Sequence, residues 1–325
     1  MIRNAAAALG ISVIALASPT SAARAADYPE RPVTIVVPYT PGGTVDLLAR
    51  ALGPKLTEIW NQQIVVDNRP GAGGSVGAEL VAKAAPDGYT LLLSTNSPLT
   101  SNLAVYKSLA YDPLRDFAPV IVAAESKLLL VANPKLPAKS TAELIALAKQ
   151  QPGKLAAGTS GNGATAHLSL AQFNKLAGVE LTHVPYRGGV PSLTAAISGE
   201  VQVTFSDIVP ALPLVRDGRL RALATTGSSR AGVAPDVPTL AESGVPGFDI
   251  SAWVGLVAPK GTPADVVRKL NGDINRILKD RQFADQITAM GADPLGNTPE
   301  QFAEFLRKEI PRWKEIVVEA GVKVE

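Results

Sequence analysis

The sequence predicts an α/β protein of two domains, each built on a doubly wound, mainly parallel β-sheet, with a cleft between the domains. Two observations predict this class: short apolar runs alternate with longer helical patterns, and the alternation starts again after Pro119. The length of 325 residues agrees with two domains, since one domain typically has about 100–200 residues. We assign 27–125 plus 250–325 to the first domain and 126–249 to the second.

The first unit alternates strands and helices in chain order. Its strand patterns are Val33–Val37, Ile64–Val66 and Tyr89–Ser94, and its helical patterns run from Val45 to Ile59 and over Ser75–Ala85. Short connections between alternating elements of this kind are typical of parallel strands. Pro54 lies inside the first helical pattern, so we expect a kink or a break near Leu52.

The second unit contains five short strand patterns and a helix that begins at Ser140, where a capping box is formed with Glu143. The strand patterns are Leu128–Ala132, Leu155–Gly158, Leu181–Val184, Val201–Phe205 and Leu220–Ala224. A Pro- and Gly-rich loop, 235–248, is expected to leave this unit. The strand-like run 253–258 follows, and from Thr262 the pattern is helical, with a bend expected at Pro311.

The first 25 residues have the layout of a secretory signal peptide. One positive charge in 1–4 precedes an apolar stretch over 5–17, and Ala23-Arg24-Ala25 matches the small-residue pattern of a cleavage site. The apolar stretch is too short to span a bilayer stably. We expect cleavage near Ala25 and a periplasmic mature protein; an uncleaved N-terminal anchor is the alternative.

Composition excludes several classes of function. Lys plus Arg total 31 and Asp plus Glu total 29, and two of the basic residues lie in the first 25 residues, which contain no acid. The rest of the chain balances 29 against 29, a poor electrostatic footprint for nucleic acid. The absence of Cys excludes disulfides and thiolate catalysis, and two His give little basis for a metal site. We expect a monomer with no cofactor, no metal and no nucleic-acid partner.

Three glycine-rich turns between a strand and a helix are the candidate binding elements. The first is Pro41-Gly42-Gly43-Thr44-Val45-Asp46. Its glycines let the backbone approach a ligand, and the first N–H groups of a helix lack intrahelical partners. Such an end favours a carboxylate or phosphate by about 0.3–1 kcal/mol through the helix dipole, and by up to about 2 kcal/mol when partly buried. An ordinary strand–helix turn explains the same pattern equally well.

The other two turns resemble known motifs only in part. In 69–77 the third glycine of a dinucleotide fingerprint is replaced by Val76, and no acid follows the next strand pattern. In 158–167 a hydrolase elbow would need glycine at position 162, which is Asn. We interpret Ser160 and Thr165 as hydroxyl donors to an anion. His167 has a hydrogen-bonding or a packing role, and a Ser160–His167 nucleophile pair lacks an identified orienting acid.

Several strings, taken together and in order, resemble the receptors of the tripartite tricarboxylate transporter family, the Bug or TctC type. They are VPYTPGGTVD at 37–46, NRPGAGG at 68–74, PDGYTLL at 86–92, HVPYRGG at 183–189, PDVPT at 235–239, WVGL at 253–256 and APKGTP at 258–263. The resemblance implies a two-domain periplasmic binding protein of type II. Such a receptor is not an enzyme; it hands a mono-, di- or tricarboxylate to an ion-gradient-driven membrane permease.

The resemblance also implies site residues. In that family the first turn binds a ligand carboxylate, partly through ordered waters. This would place Gly42, Gly43 and Thr44 at the anion, with Asp46 as a helix-start acid or water-orienting residue because like charges repel. The remaining wall would comprise Tyr39, Gly73, Ser94, Asn96, Ser160, Gly161, Gly163, Thr165, Tyr186, Ser206 and Asp207.

Two positions depart from the family pattern. Ser206-Asp207 follows Phe205 where the family commonly has an acid–amide pair, which leaves the ligand preference open at this wall. Tyr39 stands where Phe or Trp is usual. The leading hypothesis is a carboxylate receptor. A solute sensor for a signalling partner would use the same chemistry, and a secreted serine hydrolase is the remaining alternative.

Overall fold

The computed structural model describes residues 28–186, 188–319, 321 and 322. The predicted signal peptide, 1–25, lies outside the described residues. The strands are β1 (Val33–Val37), β2 (Ile64–Asn68), β3 (Thr90–Thr95), β4 (Phe117–Ser126), β5 (Leu128–Ala132), β6 (Ala156–Thr159), β7 (Thr182–Pro185), β8 (Val203–Asp207), β9 (Arg221–Thr225), β10 (Ala252–Pro259) and β11 (Ala292–Pro294). The helices are α1 (Thr44–Trp60), α2 (Ser75–Ala82), α3 (Asn96–Leu99), α4 (Asn102–Val105), α5 (Thr141–Gln150), α6 (Thr165–Ala177), α7 (Gly189–Ser198), α8 (Ile208–Arg216), α9 (Ala264–Lys279), α10 (Arg281–Ala289) and α11 (Pro299–Glu319).

The described strands form two sheets with the same internal arrangement. Their orders are β2-β1-β3-β10-β4-β11 and β7-β6-β8-β5-β9. Each sheet has a parallel trio, followed by one strand, β10 or β5, that runs antiparallel to its neighbours on both sides. The predicted two-domain α/β class is therefore confirmed. Both sheets are mixed, because β5 and β10 each enter a sheet from the other unit and run against the trio.

Helices cover both faces of each sheet, as the doubly wound prediction requires. Side chains alternate along β1, so Val33, Ile35 and Val37 pack with α1, α9 and α10, whereas Val36 packs with α2 and α11 on the other face. The second sheet is covered in the same way by α5 and α6 on one face and by α7 and α8 on the other. Within the described part of the chain, no helix is both long and apolar enough to cross a membrane.

The chain crosses between the sheets twice, at adjacent places. Lys127 alone separates β4 from β5, and residues 226–251 connect β9 to β10. The two crossovers are joined because the Leu128 N–H donates to Thr226 Oγ1 over 2.9 Å and the Thr226 N–H donates to the Leu128 carbonyl over 3.0 Å. The Lys127 ammonium is buried between Glu125 and Asp293, at 3.0 and 2.8 Å. This pair of crossovers places the carboxyl ends of both parallel trios opposite each other.

Helices α1 and α11 each continue through an internal proline. Helix α1 continues through Pro54 without the break expected near Leu52, because Leu48, Leu52 and Leu56 are all buried in the core and hold both halves to the sheet. Helix α11 continues through Pro311. Its first half packs on the first sheet, whereas Trp313 and the residues after it pack in the core of the second.

Candidate functional site

A cavity of about 350 Å³ lies between the two sheets, where β1, β3, β6 and β8 end. Clefts at the carboxyl ends of parallel strands are common ligand sites. The lining residues are Tyr39, Thr40, Gly43, Thr44, Val45, Asp46, Gly73, Thr95, Ser97, Ser126, Leu128, Ser160, Asn162, Ala164, Thr165, Ala166, Gly188, Gly189, Asp207, Ala252 and Val254. None of these described residues is Lys, Arg or His. An anion bound here would be held by N–H groups and hydroxyls.

The turn after β1 brings the start of α1 to the cavity. Gly42 has a φ of +90°, a conformation that glycine adopts without strain, while Gly43 is extended with φ −79° and lines the cavity. The next N–H groups belong to the first turn of α1 and have no intrahelical acceptor. Thr44 adds a buried hydroxyl that no group of the described chain hydrogen-bonds. These groups together can donate several hydrogen bonds to one carboxylate.

Asp46 stabilises the conformation of this turn, and its carboxylate is paired with other groups of the protein. Its carboxylate accepts hydrogen bonds from the Gly42 N–H at 2.8 Å, from Arg50 Nε at 3.0 Å and from Asn68 Nδ2 at 3.0 Å. Burial opposes ionisation of Asp46, but these hydrogen bonds and the Arg50 charge outweigh it and hold its pKa below the usual range. The carboxylate therefore stays ionised and fixed behind the turn that begins α1.

The loop after β6 forms the opposite wall. Ser160, Asn162 and Thr165 line the cavity, whereas Gly161 and Gly163 give the loop its shape with φ values of +129° and +72°. Neither of these glycines lines the cavity. Ser160 and Thr165 thus lie where hydroxyl donors to an anion were expected.

The two histidines hold the base of this loop. Their rings stack with centroids 3.7 Å apart and an interplanar angle of 13°. The Gly163 N–H donates to His167 Nδ1 over 3.1 Å, and His183 Nε2 shares a hydrogen bond of 2.6 Å with Thr159 Oγ1. No hydrogen bond joins Ser160 to His167 within the described residues. The geometry favours the hydrogen-bonding interpretation of His167 over a nucleophile pair.

Acid should destabilise the fold through this histidine pair. Burial, and then repulsion by His183, lower the pKa of His167 to about 4, and burial also lowers the pKa of His183. Both folded values lie below about 6.5, so the unfolded chain takes up protons first as the pH falls. We expect the full contribution of the histidine pair to the free energy of unfolding above about pH 6.5. That free energy should fall by about 1–2 kcal/mol on approaching pH 4, a value that allows for partial exposure of the rings.

The measurement is urea unfolding between pH 7 and pH 4.5. These are the only two histidines of the chain, so the His167→Gln, His183→Gln double variant removes all histidine titration. Its stability should fall less than that of the wild-type protein over the same range. An equal fall in both proteins would assign the acid sensitivity to carboxylates elsewhere.

Tyr39, Ser94 and Asn96 were expected to contact the ligand, and they support the cavity wall on the side of the first sheet. The Tyr39 hydroxyl lies in the wall and hydrogen-bonds to Thr95 and, at 3.4 Å, to Ser94. Burial raises the pKa of Tyr39, so this hydroxyl stays protonated. Ser94 and Asn96 are fully buried and do not line the cavity. Gly73 does line it, with a φ of +61°.

The remaining predicted residues divide between the wall and its surroundings. Asp207, at the end of β8, lines the cavity, whereas the Ser206 hydroxyl is buried and makes no hydrogen bond to any described residue. Tyr186 does not line the cavity. Its ring packs beside α7 and α8 and its hydroxyl donates to Glu200 over 2.7 Å, which turns the side chain away.

Sequence reasoning missed the lining residues at the crossovers. Ser126, Leu128, Ala252 and Val254 lie on β4, β5 and β10, and all four line the cavity. Like the hydroxyls of Thr44 and Ser206, the buried Ser126 hydroxyl has no hydrogen-bond partner among the described residues. The predicted domain boundaries at 125/126 and 249/250 were the signal that could have found these residues, because a cleft between two lobes is bordered by the segments that connect them.

Comparisons with known proteins agree with this architecture. A family model described as "Tripartite tricarboxylate transporter family receptor" matches residues 48–322. Protein BugT of Bordetella pertussis is 39% identical over 316 residues, which cover 97% of this chain and 96% of BugT. Rpa4515 of R. palustris, solved with adipate, matches with a TM-score of 0.85 and 39% identity, covering 91% of this chain and 100% of that chain.

A second solved structure extends the comparison. MatC from Rhodopseudomonas palustris, solved with bound malate, matches with a TM-score of 0.79 and 36% identity. The match covers 89% of this chain and 100% of MatC. With the family model spanning most of the sequence, the chain belongs to the tripartite tricarboxylate transporter family of receptors.

Proposed function

We propose that the protein is a periplasmic solute receptor that binds a small organic carboxylate between its two lobes and delivers it to a tripartite tricarboxylate-type permease. One observation carries the proposal: the first turn of α1, where the Thr44 hydroxyl has no hydrogen-bond partner, lies at a cavity whose described lining contains no basic side chain. Such a site recognises an anion through oriented N–H and O–H groups.

The rest of the cavity suits the body of a small organic acid. Alkyl side chains of Val45, Leu128 and Val254 lie between the polar walls. Two members of the family, Rpa4515 and MatC, were solved with adipate and malate, both of which are dicarboxylates. These relatives support a short organic carboxylate as the ligand class for this chain.

Delivery to a permease would depend on closure of the two lobes around the ligand. We propose lobes of 27–125 plus 250–325 and of 126–249, with the end of α11 packed on the second lobe. A ligand that contacts Thr44 on one lobe and Ser160 on the other favours the closed arrangement, since it binds that state better. The closed surface is then the form that a permease would recognise.

A thermal-shift screen of mono-, di- and tricarboxylates tests the binding proposal. A ligand that binds only the folded state stabilises it by about 2.7 kcal/mol at 100 times its Kd. We expect at least one short carboxylate to raise the melting temperature of the purified protein in a concentration-dependent way. If no carboxylate does so, the receptor proposal is wrong. Turnover of an ester or amide that Ser160→Ala abolishes would instead favour the hydrolase.

A further inference from the structure

Asp207 places a carboxylate at the wall of the cavity, and no residue of the described part of the chain pairs with it. It is the last residue of β8 and directly precedes α8, yet its side chain caps no N–H group of that helix. Within the described residues, no hydrogen bond or ion pair engages this carboxylate. Because α8 begins here, the helix dipole favours the ionised form of Asp207.

The other cavity-lining carboxylate behaves differently. Asp46 is neutralised by Arg50 and accepts hydrogen bonds from Gly42 and Asn68, so its charge is used within the protein. Asp207 lacks such partners among the described residues, and burial raises its pKa, so a cationic group of the ligand would stabilise the ionised form that burial disfavours. The described lining contains no Lys, Arg or His that could compensate it. Among the described lining residues, Asp207 is therefore the carboxylate whose charge no protein group compensates.

Glycine beside Asp207 keeps that carboxylate accessible. Gly188 and Gly189 line the cavity at the start of α7. A Cβ at Gly189 would lie 3.8 Å from Asp207 Oδ2 and 3.3 Å from Ser206 Oγ, so a larger side chain there would cover both groups. The open approach lets a group of the ligand contact Asp207 directly.

We propose that Asp207 makes this receptor selective for carboxylates that also carry a cationic nitrogen. The ligand carboxylate lies at the α1 turn and the nitrogen pairs with Asp207 on the other lobe. This inference rests on the proposed function, because it assumes that the cavity binds a carboxylate. A second carboxylate of a plain diacid would meet a like charge in a desolvated site, whereas an ammonium group would neutralise it.

Calorimetric titration of matched ligands tests this selectivity. At five and six carbons, the panel compares the diacids glutarate and adipate with L-glutamate, L-2-aminoadipate, 5-aminopentanoate and 6-aminohexanoate. We expect at least one nitrogen-bearing compound to bind the purified protein at least ~10-fold tighter than the diacid of equal length. The Asp207→Asn variant should lose that preference and bind the diacid as well as or better than the wild type does.

The control is Asp217→Asn, which removes an exposed carboxylate just after the other end of α8 and should leave the preference unchanged. If each diacid binds as tightly as the nitrogen-bearing compounds of equal length, the proposed selectivity is wrong. The receptor proposal is unaffected by that result. A preference that survives Asp207→Asn would also overturn it. Failure of every compound in the panel and of the wider carboxylate screen would instead count against the proposed function.

Discussion

The Gly43→Val variant should fold normally and lose measurable binding of carboxylates. Gly43 has φ −79°, which valine tolerates, and a Cβ built there meets no atom within 4 Å. The added side chain would therefore occupy space beside the first turn of α1 without distorting the protein. Since the anion must approach those N–H groups closely, we expect affinity to fall at least ~100-fold, as when a ligand loses several charge-assisted hydrogen bonds.

Calorimetry with the best ligand of the wild-type protein measures the loss, and circular dichroism checks the fold. Gly272→Val is the matched control: it makes the same change at an exposed position of α9 where a Cβ also meets no atom within 4 Å. That variant should bind like the wild type. Unchanged affinity in Gly43→Val would show that the carboxylate binds elsewhere.

The Asp46→Ala variant should lose both stability and affinity. Removal of the carboxylate leaves the Gly42 N–H, Arg50 and Asn68 without their shared acceptor. We expect the free energy of unfolding at pH 7 to fall by about 2 kcal/mol, since a hydrogen bond to a charged group contributes about 1.5–3 kcal/mol and Arg50 can be rehydrated. Ligand affinity should also fall, because the turn that presents Gly43 and Thr44 is no longer fixed.

Urea unfolding at pH 7 and pH 3 measures this contribution. The folded pKa of Asp46 is lowered, so its stabilisation is present above the ordinary Asp value and is lost as the pH falls through the folded value. The difference between wild type and variant should therefore shrink at pH 3. Asp67→Ala, which breaks an exposed pair with Arg69, is the control and should change stability by less than ~0.5 kcal/mol. A stability loss in Asp46→Ala no larger than that of the control would contradict the bracing role.

Local patterns were sufficient for most elements of the fold. Short continuous apolar runs predicted the ends of β1, β5 and β10 to within one residue, and the capping box at Ser140 predicted the start of α5. The mixed character of the sheets was missed, because the direction of β5 and β10 depends on where the chain crosses between lobes and not on local periodicity. The continuity of α1 through Pro54 was also missed, since buried leucines on both sides outweigh one lost backbone hydrogen bond.

The candidate site was predictable where glycine and polar residues follow a strand. Gly43, Thr44, Ser160 and Asp207 all line the cavity, because the carboxyl ends of the parallel strands meet there. Side-chain direction was not predictable in the same way. Tyr186 belongs to a motif shared with the family, yet it turns to Glu200, a contact that only the packing of α7 against the sheet determines.

A crystal structure of the protein with a tight-binding carboxylate from the screen would show where the ligand binds. We expect one ligand carboxylate at the first turn of α1, within hydrogen-bond distance of the Gly43–Thr44 backbone or of waters held by it, with further contacts from Ser160 or Thr165 on the other lobe. A ligand bound outside this cavity, or one whose carboxylate lies away from the α1 turn, would contradict this expectation.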